Sequence, residues 1–371
     1  MKVFFLLLSP LTWLYQFLFW VSQWKTKTLS LPNTLVISVG NLSVGGTGKT
    51  PFVQYLVRYF QRVNKDYVIT ILSRGYKAKK SEEGAILPDG NSPQLYGDEP
   101  SEHKNLFPNV QVIIGKNRRE SFLRLNQFHS KKHIVILDDG FQHKRIDRDF
   151  DIVLLDTNAP FGNGYTLPLG FLREPISHLK RAQTIIFTKQ TEKNKKQYEE
   201  GKLILKKFPF NLPTFVSHFQ AELNEINLDS LPLPESFPMG IREIPPNIEE
   251  ASYFLFTGVG NPNNVLETAI SVLKTDQIQY RFFPDHFEFD EKVLFSLIPG
   301  KKSESIFVTT EKDWVKVKTQ TRFIEELNKR KIRLLVLKVQ VVISEQSEFE
   351  SMLAGLVSTY EVKNGLVSET L

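Results

Sequence analysis

Apolar residues along the chain recur with two periods. Short runs rich in β-branched and aromatic residues occur at Thr34–Val39, Tyr67–Leu72, Val110–Ile114, His133–Leu137 and Asp151–Leu155. Four more follow at Thr184–Thr188, Tyr253–Thr257, Ser305–Thr309 and Arg333–Val339. Each has strand length, bounded by polar or turn-forming residues. Between them the spacing becomes helical, as at Phe52, Val53, Leu56, Val57 and Phe60, which share one side of a helix. Strands alternating with helices predict an α/β protein with a mainly parallel sheet flanked by helices. Glu192–Lys206 is charge-dense and predicts a solvated helix. Residues 231–246 carry Pro232, Pro234, Pro238, Pro245 and Pro246, five of the 20 prolines, which predicts a linker or inserted loop. The expected organisation is an N-terminal helix at 1–27 and a core at 28–226. A Pro-rich segment at 227–250, a smaller C-terminal α/β domain at 251–345 and a tail at 346–371 follow. The tail reads as a short amphipathic helix followed by disorder.

The N-terminus breaks the pattern. Residues 3–24 carry no charge, and residues 1–24 hold eight aromatic side chains. A secretory signal is disfavoured, because no small-residue cleavage site follows the apolar stretch. A transmembrane helix has the required length. An interfacial helix also fits: Ser9, Thr12, Gln16 and Gln23 form a narrow polar stripe, with Leu, Phe and Trp elsewhere. A helix buried against its own domain is the remaining option. Membrane-interface insertion through residues 1–24 is favoured. Lys25 and Lys27 follow the stretch and no acid precedes Asp66, which assigns the bulk of the chain to the cytoplasmic side.

With 371 residues, the chain is long enough for about two domains at roughly 150 residues each. It has no cysteine, which excludes disulfides, thiolate metal sites and a cysteine nucleophile. The net charge of +6 suits anionic partners without choosing among them.

The first strand runs into Gly40-Asn41-Leu42-Ser43-Val44-Gly45-Gly46-Thr47-Gly48-Lys49-Thr50 and then a helix. Strand, Gly-rich loop and helix are the context a Walker A loop needs. The one departure is Ser43 at the first glycine position. Gly45, Gly46 and Gly48 let backbone N–H groups turn toward phosphate oxygens, and the helix N-terminus adds its dipole. Lys49 is expected to reach the terminal phosphates, and Thr50 to ligate Mg²⁺. His133–Leu137 leads into Asp138 and Asp139, a strand end that aims carboxylates at the nucleotide crevice. The fold class is therefore a P-loop NTPase-type sheet. Thr188-Lys189-Gln190-Thr191 comes closest to a guanine-reading motif but lacks its Asp, so ATP is expected rather than GTP.

Other polar clusters are individually weak: Ser73-Arg74-Gly75-Tyr76, Gly97-Asp98-Glu99-Pro100, Asp138-Asp139-Gly140-Phe141-Gln142-His143, Leu172-Arg173-Glu174-Pro175, Asp285-His286 and Thr310-Glu311-Lys312-Asp313. With the Asn41–Pro51 loop, their order resembles the tetraacyldisaccharide 4′-kinase, or lipid A 4′-kinase, family, over residues 1 to about 340. Ser43 is the family's own form of the loop.

The resemblance implies transfer of the γ-phosphate of ATP to the 4′-hydroxyl of a tetraacylated glucosamine disaccharide 1-phosphate. The implied setting is the cytoplasmic face of the bacterial inner membrane, with a monomeric enzyme and no nucleic-acid partner. It implies Asp98 as acceptor of the hydroxyl proton and His286 as the residue that orients it. Thr50, Asp139, Glu99 and Asp138 are the implied Mg²⁺ set. Arg173, Glu174, Gln142, His143 and Arg74 are the implied substrate contacts. Asp98 and His286 flank the Pro-rich segment in sequence, which implies a site assembled by domain closure. The competing class is a membrane-bound P-loop ATPase switch with no lipid acceptor.

Overall fold

The computed structural model describes residues 10–18, 21, 27–228, 252–260, 262–285, 287–299 and 305–366. The chain divides into two compact units. One comprises Met1–Phe219 with Val341–Leu371, the other Gln220–Gln340.

The first unit begins with a helix at 10–18 (α1). Its sheet contains β1 (Leu35–Asn41), β2 (Val68–Ser73), β3 (Ala85–Ile86), β4 (Gln111–Ile114), β5 (His133–Asp138), β6 (Phe150–Asp156), β7 (Thr184–Thr188) and the start of β8 (Thr214–Glu225). Their order is β8-β7-β6-β1-β5-β2-β4-β3. The ladders are parallel apart from β3, which runs antiparallel to β4. All seven residues of β1 are buried, as expected for a central parallel strand covered on both faces. The helices of this unit are α2 (Lys49–Val63), α3 (Pro93–Tyr96), α4 (Asp98–Leu106), α5 (Arg118–Leu125), α6 (Lys195–Leu205) and, from the far end of the chain, α11 (Gln346–Asn364). Phe52, Val53, Leu56, Val57 and Phe60 of α2 are buried, the face their spacing predicts. The charge-dense stretch becomes a 3₁₀ turn at Glu192–Asn194 followed by α6.

The second unit has β9 (Ser252–Thr257), β10 (Ile278–Phe282), β11 (Ser305–Thr310) and β12 (Arg333–Ile343), ordered β10-β9-β11-β12 with β8 next to β12. Its helices are α7 (Pro262–Leu273), α8 (Glu291–Phe295), α9 (Glu311–Val317) and α10 (Thr321–Arg330). Phe256, Phe289, Phe307, Trp314 and Phe323 fill its core.

The sequence reading divided the chain differently. β8 and β12 each carry the backbone from one unit into the other, so the division falls inside two strands rather than at the Pro-rich segment. Residues 229–250 of that segment lie outside the described residues. The region beyond 345 is not a separate tail through residue 364: Phe349, Leu353, Val357 and Tyr360 of α11 join the core of the first unit beside Phe52 and Phe215. The sequence predicts a short amphipathic helix here; the helix has nineteen residues, and the surface its apolar side packs on lies almost 300 residues away in the chain. No helix among the described residues is long and apolar enough to cross a membrane.

Candidate active site

The site lies where β1 and β5 end side by side, with Val39 in register with Asp138. β1 pairs with β5 on one side and β6 on the other, while β2 lies beyond β5. The loop leaving β1 therefore stands at the point where the strand order reverses, the usual ligand crevice of an open α/β sheet. Gly40 is required there, because a Cβ at that position would lie 2.5 Å from Phe141 Cβ and 2.7 Å from its backbone nitrogen. Gly48, with φ of 85°, makes the left-handed turn that starts α2.

The loop is held on both flanks. Asn41 Nδ2 donates to the Ser43 carbonyl at 2.8 Å, and Val44 N donates to the Phe171 carbonyl at 2.8 Å. Thr188 Oγ1 donates to the Thr47 carbonyl at 2.9 Å. Gly45 and Gly46 face outward, and Lys49 and Thr50 follow in the first turn of α2, half-buried. The structure thus groups Ser43, Gly45, Gly46, Thr47, Gly48, Lys49 and Thr50 in one cradle of backbone donors beside a lysine.

Asp139 faces that cradle. Lys49 Nζ lies 3.6 Å from Asp139 Oδ1, and Arg173 donates to Asp139 Oδ2 at 3.1 Å. The same Arg173 atom lies 3.5 Å from Gln142 Oε1, and Gln142 Nε2 donates to the Asn41 carbonyl at 2.6 Å. Asp139 adopts φ of 53°, a left-handed conformation uncommon outside glycine. The loop that imposes it is pinned by two arginines. Arg148, paired with Asp151 at 3.1 Å, donates to the carbonyls of Gly140 and His143. Arg181 stacks on the Phe141 ring at 4.3 Å and donates to the Phe141 carbonyl.

Asp138 points the other way, into the protein. Ser73 Oγ donates to its Oδ2 at 3.4 Å, and His103 Nε2 lies 3.6 Å from the same oxygen. Burial alone would push this carboxyl up, but the His103 imidazole, with Lys49 and Arg118, brings it below its usual range. Its Oδ1 is buried without a protein partner. Asp98 and Glu99 open α4, behind Gly97. Glu99 presents accessible area, yet the protein packed around its carboxyl, and next the Asp138 charge, push it up to about 7.

The carboxylates of Asp138, Asp139 and Glu99 with the Thr50 hydroxyl are all hard oxygen donors, and Asp138 Oδ1 lacks a partner. Among the described residues no three acidic or imidazole groups form a closed metal cage. Hard oxygen donors are the chemistry Mg²⁺ takes, one or two carboxylates completed by phosphate oxygens and water.

Among the remaining candidates, Arg74 is exposed, and its charge acts on both Arg118 and His143. His143 is held down to about 3 by burial and by the charges of Arg118, Arg148, Arg145 and Arg74, so it is neutral. Glu174 is fully buried, accepting from His178 Nδ1 at 2.7 Å and from Arg181 at 3.0 Å. That geometry makes it an anchor under Arg173 rather than a group facing a ligand. His286 lies outside the described residues. Asp285 pairs with Lys312 at 3.6 Å. The Thr310–Asp313 motif is a helix cap: Asp313 accepts from Thr257, Gly258 and Thr310, which ties β9 to the start of α9.

Two residues and one role escaped the sequence expectation. Buried Arg118 donates to the Asp139 carbonyl at 3.0 Å, His103 touches Asp138, and Lys189 donates to both Asp156 and the Gly46 carbonyl. His103 stands four residues after Glu99, one turn along the same helix face, and that was its available signal.

α1 is turned inside out. Thr12 is buried, Tyr15 Oη donates to the Arg173 carbonyl at 3.1 Å, and Gln16 Nε2 donates to Thr166 Oγ1 at 2.8 Å. The described part of the polar stripe therefore faces the protein, while Trp13 at 76% exposure, Phe17 at 57% and Leu18 at 57% face outward. Phe171, whose carbonyl holds the phosphate loop, is 63% exposed.

Comparison with known proteins agrees with this geometry. A family described as tetraacyldisaccharide-1-P 4′-kinase matches residues 4–358. A tetraacyldisaccharide 4′-kinase of Leptospira biflexa is 64% identical over 372 aligned positions, covering 99% of this chain and 100% of the relative. One from Flavobacterium psychrophilum is 33% identical, covering 96% of each chain. The crystal structure of "apo" form LpxK from Aquifex aeolicus in complex with ATP is 28% identical, with a TM-score of 0.67 over 94% of this chain and 98% of that one.

Proposed function

The chain belongs to the tetraacyldisaccharide 4′-kinase family, and from that premise we propose that it moves the γ-phosphate of ATP onto the 4′-hydroxyl of a tetraacylated glucosamine disaccharide 1-phosphate. The product is the 4′-phosphorylated lipid A precursor. The observation that carries the reading is the meeting of Lys49, on a glycine-turned helix start, with Asp139 at the end of the neighbouring strand.

Each side chain then has a task. Backbone N–H groups of residues 45–50 and the Lys49 ammonium bind and orient the phosphates. Thr50 and Asp139 would hold Mg²⁺, which supplies charge neutralisation for the phosphate oxygens, while Glu99 and Asp138 stand behind them. Arg173, already on Asp139, faces the transferring phosphoryl group with a fork that matches its oxygens. Gln142 holds that arginine in place. Arg74 and neutral His143 contribute to the rim that receives the anionic sugar. Asp98 takes the 4′-hydroxyl proton as the oxygen attacks the γ-phosphorus, and ADP departs as the bond to the β-phosphate oxygen breaks. His286 orients Asp98, a role that rests on the family resemblance.

The substrate's acyl chains stay in the bilayer, because moving them into water costs about 0.8 kcal/mol per CH₂. The outward Trp13, Phe17 and Leu18 of α1 support an enzyme seated peripherally on the cytoplasmic face of the inner membrane. α1 is hydrogen-bonded to the segments that hold Thr166 and Arg173, so membrane seating and the phosphate site share one support.

The test is transfer of labelled γ-phosphate to a detergent-dispersed acylated disaccharide 1-phosphate, run beside Lys49→Ala. Label on the lipid, absent in the variant, is expected. Label released only as inorganic phosphate would overturn the kinase reading in favour of an ATPase switch.

A further inference from the structure

The C-terminal half of α6 borders a cavity that has no part in the site above. β1, β6, β7 and β8 run parallel, with Ile185 of β7 in register with Thr214 at the start of β8. The phosphate loop leaves the sheet at one end of these strands, and the cavity opens at the other, beside Ile185 and Thr214. Its volume is about 450 Å³, which falls among small-ligand clefts of about 300–1,000 Å³.

The lining is apolar inside and basic beside it. Ile185 and Leu205 are buried, and Phe210 and Leu212 pack on the same core cluster. The rings of Phe208 and Phe210 lie stacked, 5.4 Å apart and 16° from parallel. Lys202 and Lys206, one helical turn apart, also border the cavity. Like charges at that spacing repel each other. Lys196 on the same helix is paired with Glu200, whereas no carboxylate among the described residues lies within ion-pair distance of Lys202 or Lys206. Lys202 is held in position instead by the Tyr198 ring, 5.0 Å from its ammonium, and that ring packs edge-on against Phe187.

The negative end of the α6 dipole favours cations in the last turn, which accounts for the sign of these two residues. It does not account for both of them bordering an apolar cavity. The same dipole limits the charge that the cavity accepts. Two ammonium groups, less the partial negative charge of the helix end, balance about one or two negative charges, too few for a polyphosphate. An apolar interior beside two cations matches a molecule with an alkyl body and a small anionic head.

We propose that this cavity is a second ligand site, which takes a single unbranched alkyl chain ending in a carboxylate. The chain packs on Ile185, Leu205 and Phe210. The carboxylate meets Lys202 and Lys206, and the exposed Asn211 amide stands beside it. The site is separate from the phosphate loop and does not rest on the kinase reading.

The test is calorimetry of the full-length protein with octanoate and decanoate, each below its aggregation concentration. Two further CH₂ groups entering an apolar cavity are expected to tighten binding about tenfold. Decyltrimethylammonium, the same chain with the opposite charge, is expected to bind at least about tenfold more weakly than decanoate. Lys202→Met with Lys206→Met removes the cations and keeps their stems, and Asn211→Trp crowds the cavity from an exposed position. Each is expected to weaken decanoate at least about tenfold, with thermal unfolding showing that both variants fold. Neither touches the phosphate site, so transfer of label to lipid is expected to persist. Wild-type affinity for decanoate in both variants would overturn the proposal and place the chain elsewhere, on the outward apolar side of α1. Equal affinity for the cationic amphiphile, or no binding of decanoate by the wild-type protein, would overturn it as well.

Discussion

Glu174→Gln distinguishes an anchor from a ligand contact. The Glu174 carboxylate is fully buried, and its Oε2 accepts from His178 at 2.7 Å and from Arg181 at 3.0 Å. Burial alone would raise its pKa, but His178 and Arg181 bring it below the usual glutamate range. Breaking a buried pair costs about 3–5 kcal/mol when the stranded charge stays buried. The partner side chains of His178 and Arg181 are 33% and 23% exposed and can reach water, so the loss falls at or below the bottom of that range, about 2–3 kcal/mol. For a unit of this size each kcal/mol moves Tm by about 2–4 °C, so a fall of about 5–10 °C is expected. The sign with pH follows from the lowered pKa. The stabilisation is present above the unfolded-state pKa of glutamate and is lost as pH falls through the lower folded value. The Tm gap between wild type and variant should therefore close in acid. The assay is thermal unfolding from pH 7 to pH 3, with KM for the lipid measured beside it. An unchanged Tm with a raised lipid KM would refute the anchor assignment and make Glu174 a substrate contact.

Three further outcomes are expected. His133 is buried, accepts or donates at 2.8 Å to Thr70 Oγ1, and is held down to about 4 by burial. The unfolded chain takes up this proton near pH 6.5 and the folded chain does not. Stability from His133 is thus full above 6.5 and falls by about 3 kcal/mol as pH drops to 4, a slope that denaturant titrations should find flattened in His133→Gln. Gly40→Ala should abolish phosphate transfer and lower stability by at least about 1–3 kcal/mol, because the new Cβ meets the Phe141 backbone; a fully active Gly40→Ala would contradict the close approach of β1 to the Asp138–His143 loop. Trp13→Ser with Phe17→Ser should release the protein from anionic phospholipid vesicles in a flotation assay while leaving ATP binding intact; undiminished flotation would place the membrane contact elsewhere.

Local chemistry was legible from the chain alone. The strand-length run before Gly40, the glycines at 45, 46 and 48, and the 3.6-residue spacing after Lys49 specify strand, loop and helix, since each depends on neighbours in sequence. The apolar run into Asp138 and Asp139 likewise named the second strand of the site. What the sequence left open depended on contacts between distant segments. Which of the two aspartates faces the phosphate loop follows from arginines 148 and 181 bending the chain into a left-handed turn at Asp139. That Glu174 lies under the site follows from His178 and Arg181 closing over it. The α11 helix belongs to the first unit because Phe349 and Leu353 meet the buried face of α2, a pairing no local period encodes. α1 turned Gln16 and Tyr15 toward the protein because Thr166 and the Arg173 carbonyl supply their hydrogen-bond partners. Sequence sets periodicity, loop chemistry and charge, which are properties of neighbours along the chain. Only the tertiary structure decides which face each element buries and which ionised group is left for the substrate, because burial and pairing are set by whatever segment arrives from elsewhere.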